Sequence, residues 1–517
     1  MALFPPGTQG MDPRPPEKYI ERGASELRSE TYIPQVLPAV LRPRDLLGNF
    51  IVALFLLPNA ILTATGGTVS LSYILLGAAF FFLPCAIATA QLGKLYPHDG
   101  SLYVWTYRVF GGAFGSFLSF FVGLCYWLSA VFATVTAANA AVTIVNGMNN
   151  SWLAQPWQQG LAMVFLLLVA SFICRFRLRV VQNLINISAC ATLLTVFLVV
   201  LAGILWLAQG HTPQTNLASG QDWLITPASF SLFGIIVLNF IGTSGPLNMA
   251  AEIPRNEPMR RKALRLHLGW GSMLIFACYF LVPLMALLVR GQSLLQDTVI
   301  TFAGFGLVDM VLGKSVGDIA LIGFGFFCVF ASVFYMLASS RILFAAAVDG
   351  RIPGFLARLN RNRVPMNAIR MHVGSAIFVV LGVFDVFPFI VNVANSAVFT
   401  AQVYTVISAA LTLIWTIATL FYFVNIIGLF VRHRSLLTAH RVVPVPILML
   451  CSLLGFLMCV LTIVACLVYS WIPSLLSNTS WSLYVGFLTA ISLLIAGVIS
   501  IVASGQADWE SLLKREE

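Results

Sequence analysis

Six residues within eight positions, Asn239, Gly242, Thr243, Ser244, Gly245 and Pro246, interrupt an apolar run that begins at Gly234. Glycine weakens a helix, and proline at 246 has no N–H to offer the carbonyl four residues back. In lipid, backbone groups freed in this way have no water to bond, so the break persists only where protein, an ion or a solute satisfies it. Such discontinuous helices are the means by which secondary transporters hold small solutes near the bilayer midplane. Beyond the break stand Glu252 and a basic run, Arg255, Arg260, Arg261, Lys262 and Arg265. A second irregular stretch carries Pro58 and Asn59 at its middle and Thr63, Thr65, Gly66 and Gly67 near its end. A plainer reading makes each break a kink packed on its neighbours through small residues.

These residues need elements that place them inside a bilayer, and the composition supplies them. The 517 residues are 59% hydrophobic and 9% charged, too few charges for a soluble domain. About twelve stretches reach the length of roughly 20 apolar residues that a membrane span requires. With the N-terminus placed inside and twelve spans threaded, 27 of the 29 lysines and arginines fall inside, leaving Arg290 and Lys314 outside. That asymmetry sets an orientation with both termini cytoplasmic. It also accounts for the net charge of +10 without nucleic acid. All nine cysteines lie in or at the ends of apolar spans with no CxxC spacing, and the six histidines form no ligand pair. Neither a disulfide framework, a metal site nor a cofactor is indicated.

In chain order, residues 1–44 form a polar, proline-rich arm with no signal-peptide pattern, read as cytoplasmic and partly disordered. Five spans follow over 45–208, five more over 229–431, then spans 11 and 12 over 445–503 and a cytoplasmic tail at 504–517. The run from Phe387 to Phe430 is too long for one crossing and is divided by a short outside element bearing Asn392 and Asn395. Breaks in spans 1 and 6, five apart, imply two five-span repeats of opposite orientation.

The loop after span 2 reads Ala90-Gln91-Leu92-Gly93, Pro97, Gly100-Ser101, Tyr103 and Trp105, followed by Gly123, Tyr126 and Trp127. The end of span 8 reads Ser340-Arg341, Leu343, Ala345, Ala347, Asp349-Gly350, Pro353, Leu356-Ala357, Asn360 and Val364-Pro365. Together with Phe240-Ile241-Gly242, Glu252 and the Asn256-Glu257-Pro258 turn, these stretches resemble the amino acid–polyamine–organocation (APC) permeases. The resemblance implies an all-α integral membrane protein of about 12 transmembrane helices, a LeuT-type 5+5 inverted repeat plus two additional helices. It further implies a secondary transporter of the cell membrane, plasma or bacterial inner. Such a carrier moves an amino acid or related small organic amine or acid by alternating access, with a coupling ion (sodium or proton) or a counter-substrate.

Carried onto this chain, the resemblance places the substrate between the breaks. Backbone contacts then fall to Ala53, Leu54, Ile241 and Gly242, and side-chain contacts to Asn59, Asn239, Phe240 and Ser244. Ser339 and Ser340 take the place where sodium-coupled members of the fold offer hydroxyls to the ion; serines that merely bond the i−4 carbonyl read the same way. Glu252 and Arg341 are gate or structural residues, with a basic loop expected as the partner of Glu252. Three departures stand out: Ile51 and Val52 replace the glycines of the first break, Ser244 replaces an acidic residue, and Ala189 stands near the span 5 lysine position. The last makes a proton route through that lysine unlike this chain. Tyr103 and Trp105 also suit interfacial anchors. A membrane enzyme lacks its cluster of His, Asp or Glu, and a channel its charged rings. A solute sensor, or a carrier of a non-amino-acid solute or inorganic ion, remains open on the same fold.

Overall fold

The computed structural model describes residues 26–148, 152–296, 303–390 and 396–516, and every regular element among them is helical. Asn392 and Asn395 lie outside the described residues, as does most of the arm. Among the described residues eleven helices are long and apolar enough to cross a membrane, and a bent pair, Pro43–Leu54 with Leu57–Ala64, makes the twelfth as span 1. Spans 2 to 6 are Val69–Leu95, Gly112–Val145, Pro156–Ile173, Leu178–Ala208 and Ser231–Glu252. Spans 7 to 12 are Glu257–Val289, Lys314–Val348, Met366–Val386, Val398–Arg432, Val445–Val468 and Asn478–Gly505. The twelve-span, all-α architecture expected from the sequence is what the chain adopts.

Burial sorts the spans into an inner and an outer set. Span 6 is 94% buried and span 3 is 83% buried over their apolar windows, whereas spans 11 and 12 are each 28% buried. The outer faces carry Phe165, Phe197, Phe378, Leu494 and similar side chains. Apolar exposure of that kind is the surface a bilayer solvates. The centre instead collects buried polar groups, Asn59, Thr136, Asn239, Ser244 and Ser408 among them.

Two spans are broken, and both breaks are dictated by local chemistry. In span 1 the halves meet at 46°. Pro58 sits in the first turn of the second half, where its missing N–H costs nothing, yet it cannot bond the Leu54 carbonyl. Phe55 and Leu56 accordingly adopt extended conformations. In span 6 the α-helix ends at Phe240, Ile241 is extended, and Gly242 has φ of +100°. That angle suits glycine and strains other residues. The second half, Gly245–Glu252, continues as a 3₁₀ helix. Gly245 N–H closes its turn on the Gly242 carbonyl at 2.9 Å.

The first half of span 1 is fixed by Asp45, which is fully buried. Its carboxylate accepts the Arg42 backbone N–H, Arg179 Nη1 at 2.6 Å and Asn186 Nδ2 at 2.8 Å. A buried carboxylate needs such a shell of donors. Before span 1, the helix Arg28–Val36 docks the arm onto the bundle. Ser29 donates through both N–H and hydroxyl to Asp349 at 2.7 and 2.9 Å, and Glu30 pairs with Arg108.

Candidate substrate site between the broken helices

Two carbonyls freed by the span 1 break, those of Ala53 and Leu54, find tyrosine hydroxyls. Tyr279 of span 7 donates to the Leu54 carbonyl at 2.7 Å and accepts the Leu56 N–H at 3.1 Å. Tyr335 of span 8 donates to the Ala53 carbonyl at 2.7 Å. A break that would be costly in lipid is therefore satisfied by protein. The two residues expected to offer backbone to substrate, Ala53 and Leu54, offer their carbonyls to these phenols.

Across the bundle, the span 6 break is lined with short polar links. Asn239 Nδ2 donates to Thr63 Oγ1 at 2.9 Å, and Thr63 in turn donates to the Asn59 carbonyl. The Asn59 side-chain oxygen accepts Tyr404 Oη of span 10 at 2.7 Å. Asn59 and Asn239, singled out from sequence, thus belong to one network spanning both breaks. Ser244 Oγ lies 2.6 Å from Tyr422 Oη, and Thr243 Oγ1 lies 2.7 Å from Thr89 Oγ1 of span 2. Phe240 stacks on Phe82 with centroids 4.7 Å apart and meets Tyr279 edge-on, so its ring packs among aromatics. Ile241 lines a cavity, while Gly242 lies under the indole of Trp415.

Trp415 divides the space between the breaks. A small cavity on one side is bounded by Val52, Leu56, Asn59, Thr136, Ile241 and Ser408. A second, on the side nearer the arm, is bounded by Tyr126, Gly245, Asn248, Phe334, Ala338 and Ser339. Ala53, Tyr335 and Trp415 border both. No carboxylate, imidazole, thiol or cationic side chain lines either cavity. The first is edged by three buried polar atoms, Thr136 Oγ1, Ser408 Oγ and Trp415 Nε1, that have no hydrogen-bond partner among the described residues. Buried polar groups are normally paired. Three such atoms stand around this one cavity.

The remaining residues taken from the sequence lie toward the end that carries the arm. Glu252 Oε1 pairs with Arg341 Nη2 at 2.7 Å, and both side chains are fully buried. The partner of Glu252 is thus an arginine of span 8 rather than a residue of a basic loop. Ser340 Oγ donates to the Leu337 carbonyl at 2.9 Å, with Arg341 Nη1 at 3.4 Å. Ser339 Oγ donates to the Tyr335 carbonyl at 2.6 Å and lies 2.9 Å from His372 Nδ1. Tyr103 and Trp105, which also suited a lipid interface, are fully buried. Tyr103 donates to Asp349 and Trp105 to the Tyr96 carbonyl, each at 2.8 Å.

Residues 46–513 match the amino acid permease family. The chain belongs to that family. This permease is 25% identical over 308 residues to an uncharacterized transporter of Legionella pneumophila, covering 57% of this chain and 62% of the relative. It is 22% identical over 334 residues to the amino-acid permease AapA of Bacillus subtilis, covering 62% of this chain and 66% of the relative. The chain therefore spans just under two thirds of the length of these relatives. Among solved structures, it is similar to the manganese transporter of Eremococcus coleocola, with a TM-score of 0.53, 13% identity, and coverage of 92% of this chain and 94% of that one. A mutant of the same transporter gives the same values. At that identity the likeness shows the fold, which is the LeuT type.

In this permease the residues that sequence reasoning did not select are mostly aromatic. Tyr279, Tyr335, Tyr404, Trp415 and Tyr422 sit in spans 7, 8 and 10 and reach the breaks only through tertiary packing. Thr136 and Ser408 are each one of several hydroxyls in long, mostly apolar helices, a pattern shared by many packed spans. The available signal was the number of tyrosines and tryptophans within apolar runs, which interfacial anchoring explains equally well.

Proposed function

We propose that this permease is a secondary carrier of the cell membrane, plasma or bacterial inner, that moves a small neutral amino acid by alternating access. The carrying observation is the cavity beside Trp415, with its three orphan polar atoms and its lack of charged side chains. The carrier holds the solute between the breaks of spans 1 and 6. Thr136, Ser408 and Trp415 bond its polar end, and Val52, Leu56, Leu238, Ile241 and Leu411 receive an apolar side chain. A divalent cation such as the substrate of the manganese transporter calls for carboxylate, imidazole or sulfur ligands, which this lining does not provide. The relative named an amino-acid permease supports the same substrate class. The distribution of basic residues supports a cytoplasmic arm and cytoplasmic termini.

The test is uptake into proteoliposomes of labelled L-alanine, L-leucine, L-glutamate, L-arginine and manganese(II). Saturable uptake of alanine or leucine, with the charged solutes excluded, supports the reading. Uptake of manganese(II), glutamate or arginine alone overturns it, as does saturable binding of leucine with no movement across the membrane.

A further inference from the structure

His372 is fully buried six residues into span 9 and bonds two other spans at once. Its Nε2 lies 2.9 Å from Thr134 Oγ1 of span 3, and its Nδ1 lies 2.9 Å from Ser339 Oγ of span 8. Each hydroxyl has one proton to give. Thr134 gives its proton to the Ala130 carbonyl at 2.8 Å, and Ser339 gives its own to the Tyr335 carbonyl at 2.6 Å. While both hydroxyls keep these bonds to the carbonyls, they face the ring as acceptors and both ring nitrogens donate. Only the imidazolium carries two N–H donors. In the neutral ring one nitrogen is bare, and one hydroxyl must turn from its carbonyl to donate to it.

The surroundings leave that arrangement to the hydroxyls. Spans 3, 4 and 8 pack along span 9, and Phe399 of span 10 meets Phe384 toward its far end at 5.8 Å. The titratable side chains of these spans are Cys125 and Tyr126 in span 3, Lys314, Asp318, Cys328, Tyr335 and Arg341 in span 8, and Tyr404, Tyr422 and Arg432 in span 10, with none in span 4. Tyr335 is engaged by Ala53 and Arg341 by Glu252, while Cys174, just past span 4, contacts the Val333 carbonyl. Arg370 and Asp385 share span 9 with His372. Among the described residues only Thr134 and Ser339 hydrogen-bond the ring, and Trp127 meets it edge-on at 6.2 Å. Ser339 also lines the cavity nearer the arm, as do Ala53 and Trp415. Tyr335, whose carbonyl takes the Ser339 proton, reaches the span 1 break with its hydroxyl. An ionisable group within a membrane span is a functional candidate by default, and this one is joined by two bonds to the substrate site.

We propose that His372 is a proton-binding site of this carrier. A proton from water adds to the bare ring nitrogen when Thr134 and Ser339 both accept from the ring. It returns to water when a shift of span 3 against span 8 separates the two acceptors. The inference rests on the transport reading for its purpose, but its chemistry involves the proton alone and can be read without any substrate.

The experiment is nitrogen NMR of the full-length protein in lipid, carrying ¹⁵N-histidine and titrated from pH 5 to pH 9. His372→Gln identifies the signal among the six histidines. The expected result is a ring with both nitrogens protonated at the acid end that becomes a neutral tautomer as pH rises. Ser339→Ala, which removes one acceptor of the charged ring, should move the midpoint to lower pH by about one unit, the equivalent of one hydrogen bond. Thr134→Val should move it in the same direction and serves if the first variant does not fold. A ring fixed in one protonation state throughout, or a midpoint unmoved by both variants, overturns the proposal. Failure of the amino acid uptake assay leaves this titration readable, so the two ideas fail separately.

Discussion

The indole of Trp415 packs on Gly242 so closely that a β-carbon at 242 would stand 2.8 Å from Cζ2 and 3.0 Å from Cη2. A glycine at a broken helix thus seats the tryptophan that borders both cavities. Trp415→Phe keeps an aromatic ring there and removes the orphan Nε1–H. If that N–H bonds the solute, half-saturation for uptake should rise about tenfold, the worth of one hydrogen bond. Thermal stability should change little, because the N–H has no hydrogen-bond partner among the described residues. Unchanged half-saturation would remove Trp415 from the solute's contacts.

The tyrosines that satisfy span 1 should matter for folding as well as transport. Tyr279→Phe leaves the Leu54 carbonyl and the Leu56 N–H without their partner. Leaving buried groups unpaired costs about 1–3 kcal/mol. The variant should show a lower melting temperature in detergent, and Tyr335→Phe a smaller loss because a single carbonyl is affected. Equal melting temperatures for Tyr279→Phe and the parent would show that these bonds do not support the break.

Glu252 and Arg341 form a fully buried ion pair, for which the cost of breaking one side exceeds the worth of the pair. Glu252→Gln or Arg341→Met alone should destabilise the protein by about 3–5 kcal/mol. The double variant should recover part of that loss. A double-mutant cycle on thermal stability reads the coupling directly, and additive losses would argue against it.

Acid should weaken the contact between the arm and the loop after span 2. His98 in that loop is held down to about 4, first by burial and then by the charges of Arg108, Arg260 and Arg255. Glu30 stands 3.7 Å from its Nε2, but Arg108 already occupies that carboxylate. A histidine depressed below its unfolded value of 6.5 contributes stability that is full above that pH and lost as pH falls toward about 4. Protection of the arm from protease should therefore decline across that window, and His98→Gln should flatten the decline. A parent profile that is flat from pH 7 to pH 4 would contradict this account.

The breaks were legible because Pro58, Gly242 and Pro246 act through their own backbone chemistry, which needs no partner to be recognised. The spans were legible for the same reason, since length and apolarity are local properties. What the sequence hid was contact made at long range. Nothing near Leu54 announces Tyr279, which lies 225 residues away along the chain. Glu252 had five basic residues nearby in sequence and yet pairs with Arg341, 89 residues distant. Tyr103 and Trp105 resembled interfacial anchors because an aromatic ring in an apolar run gives no sign of which way it faces. Gly77 of span 2 gives no sign in sequence that Ile236 of span 6 lies where its β-carbon would stand.

The most direct test of the site is uptake of labelled leucine or alanine by Gly242→Leu. A side chain there meets both a φ of +100° and the Trp415 ring. The control is Gly374→Leu on span 9, where an added β-carbon has no neighbour within 4 Å. Both variants are to be reconstituted at equal amounts after size-exclusion chromatography shows a folded species. The account predicts that Gly242→Leu loses uptake while Gly374→Leu transports at the parent rate. Transport by Gly242→Leu at the parent rate, with unchanged half-saturation, would place the solute somewhere other than between the broken helices.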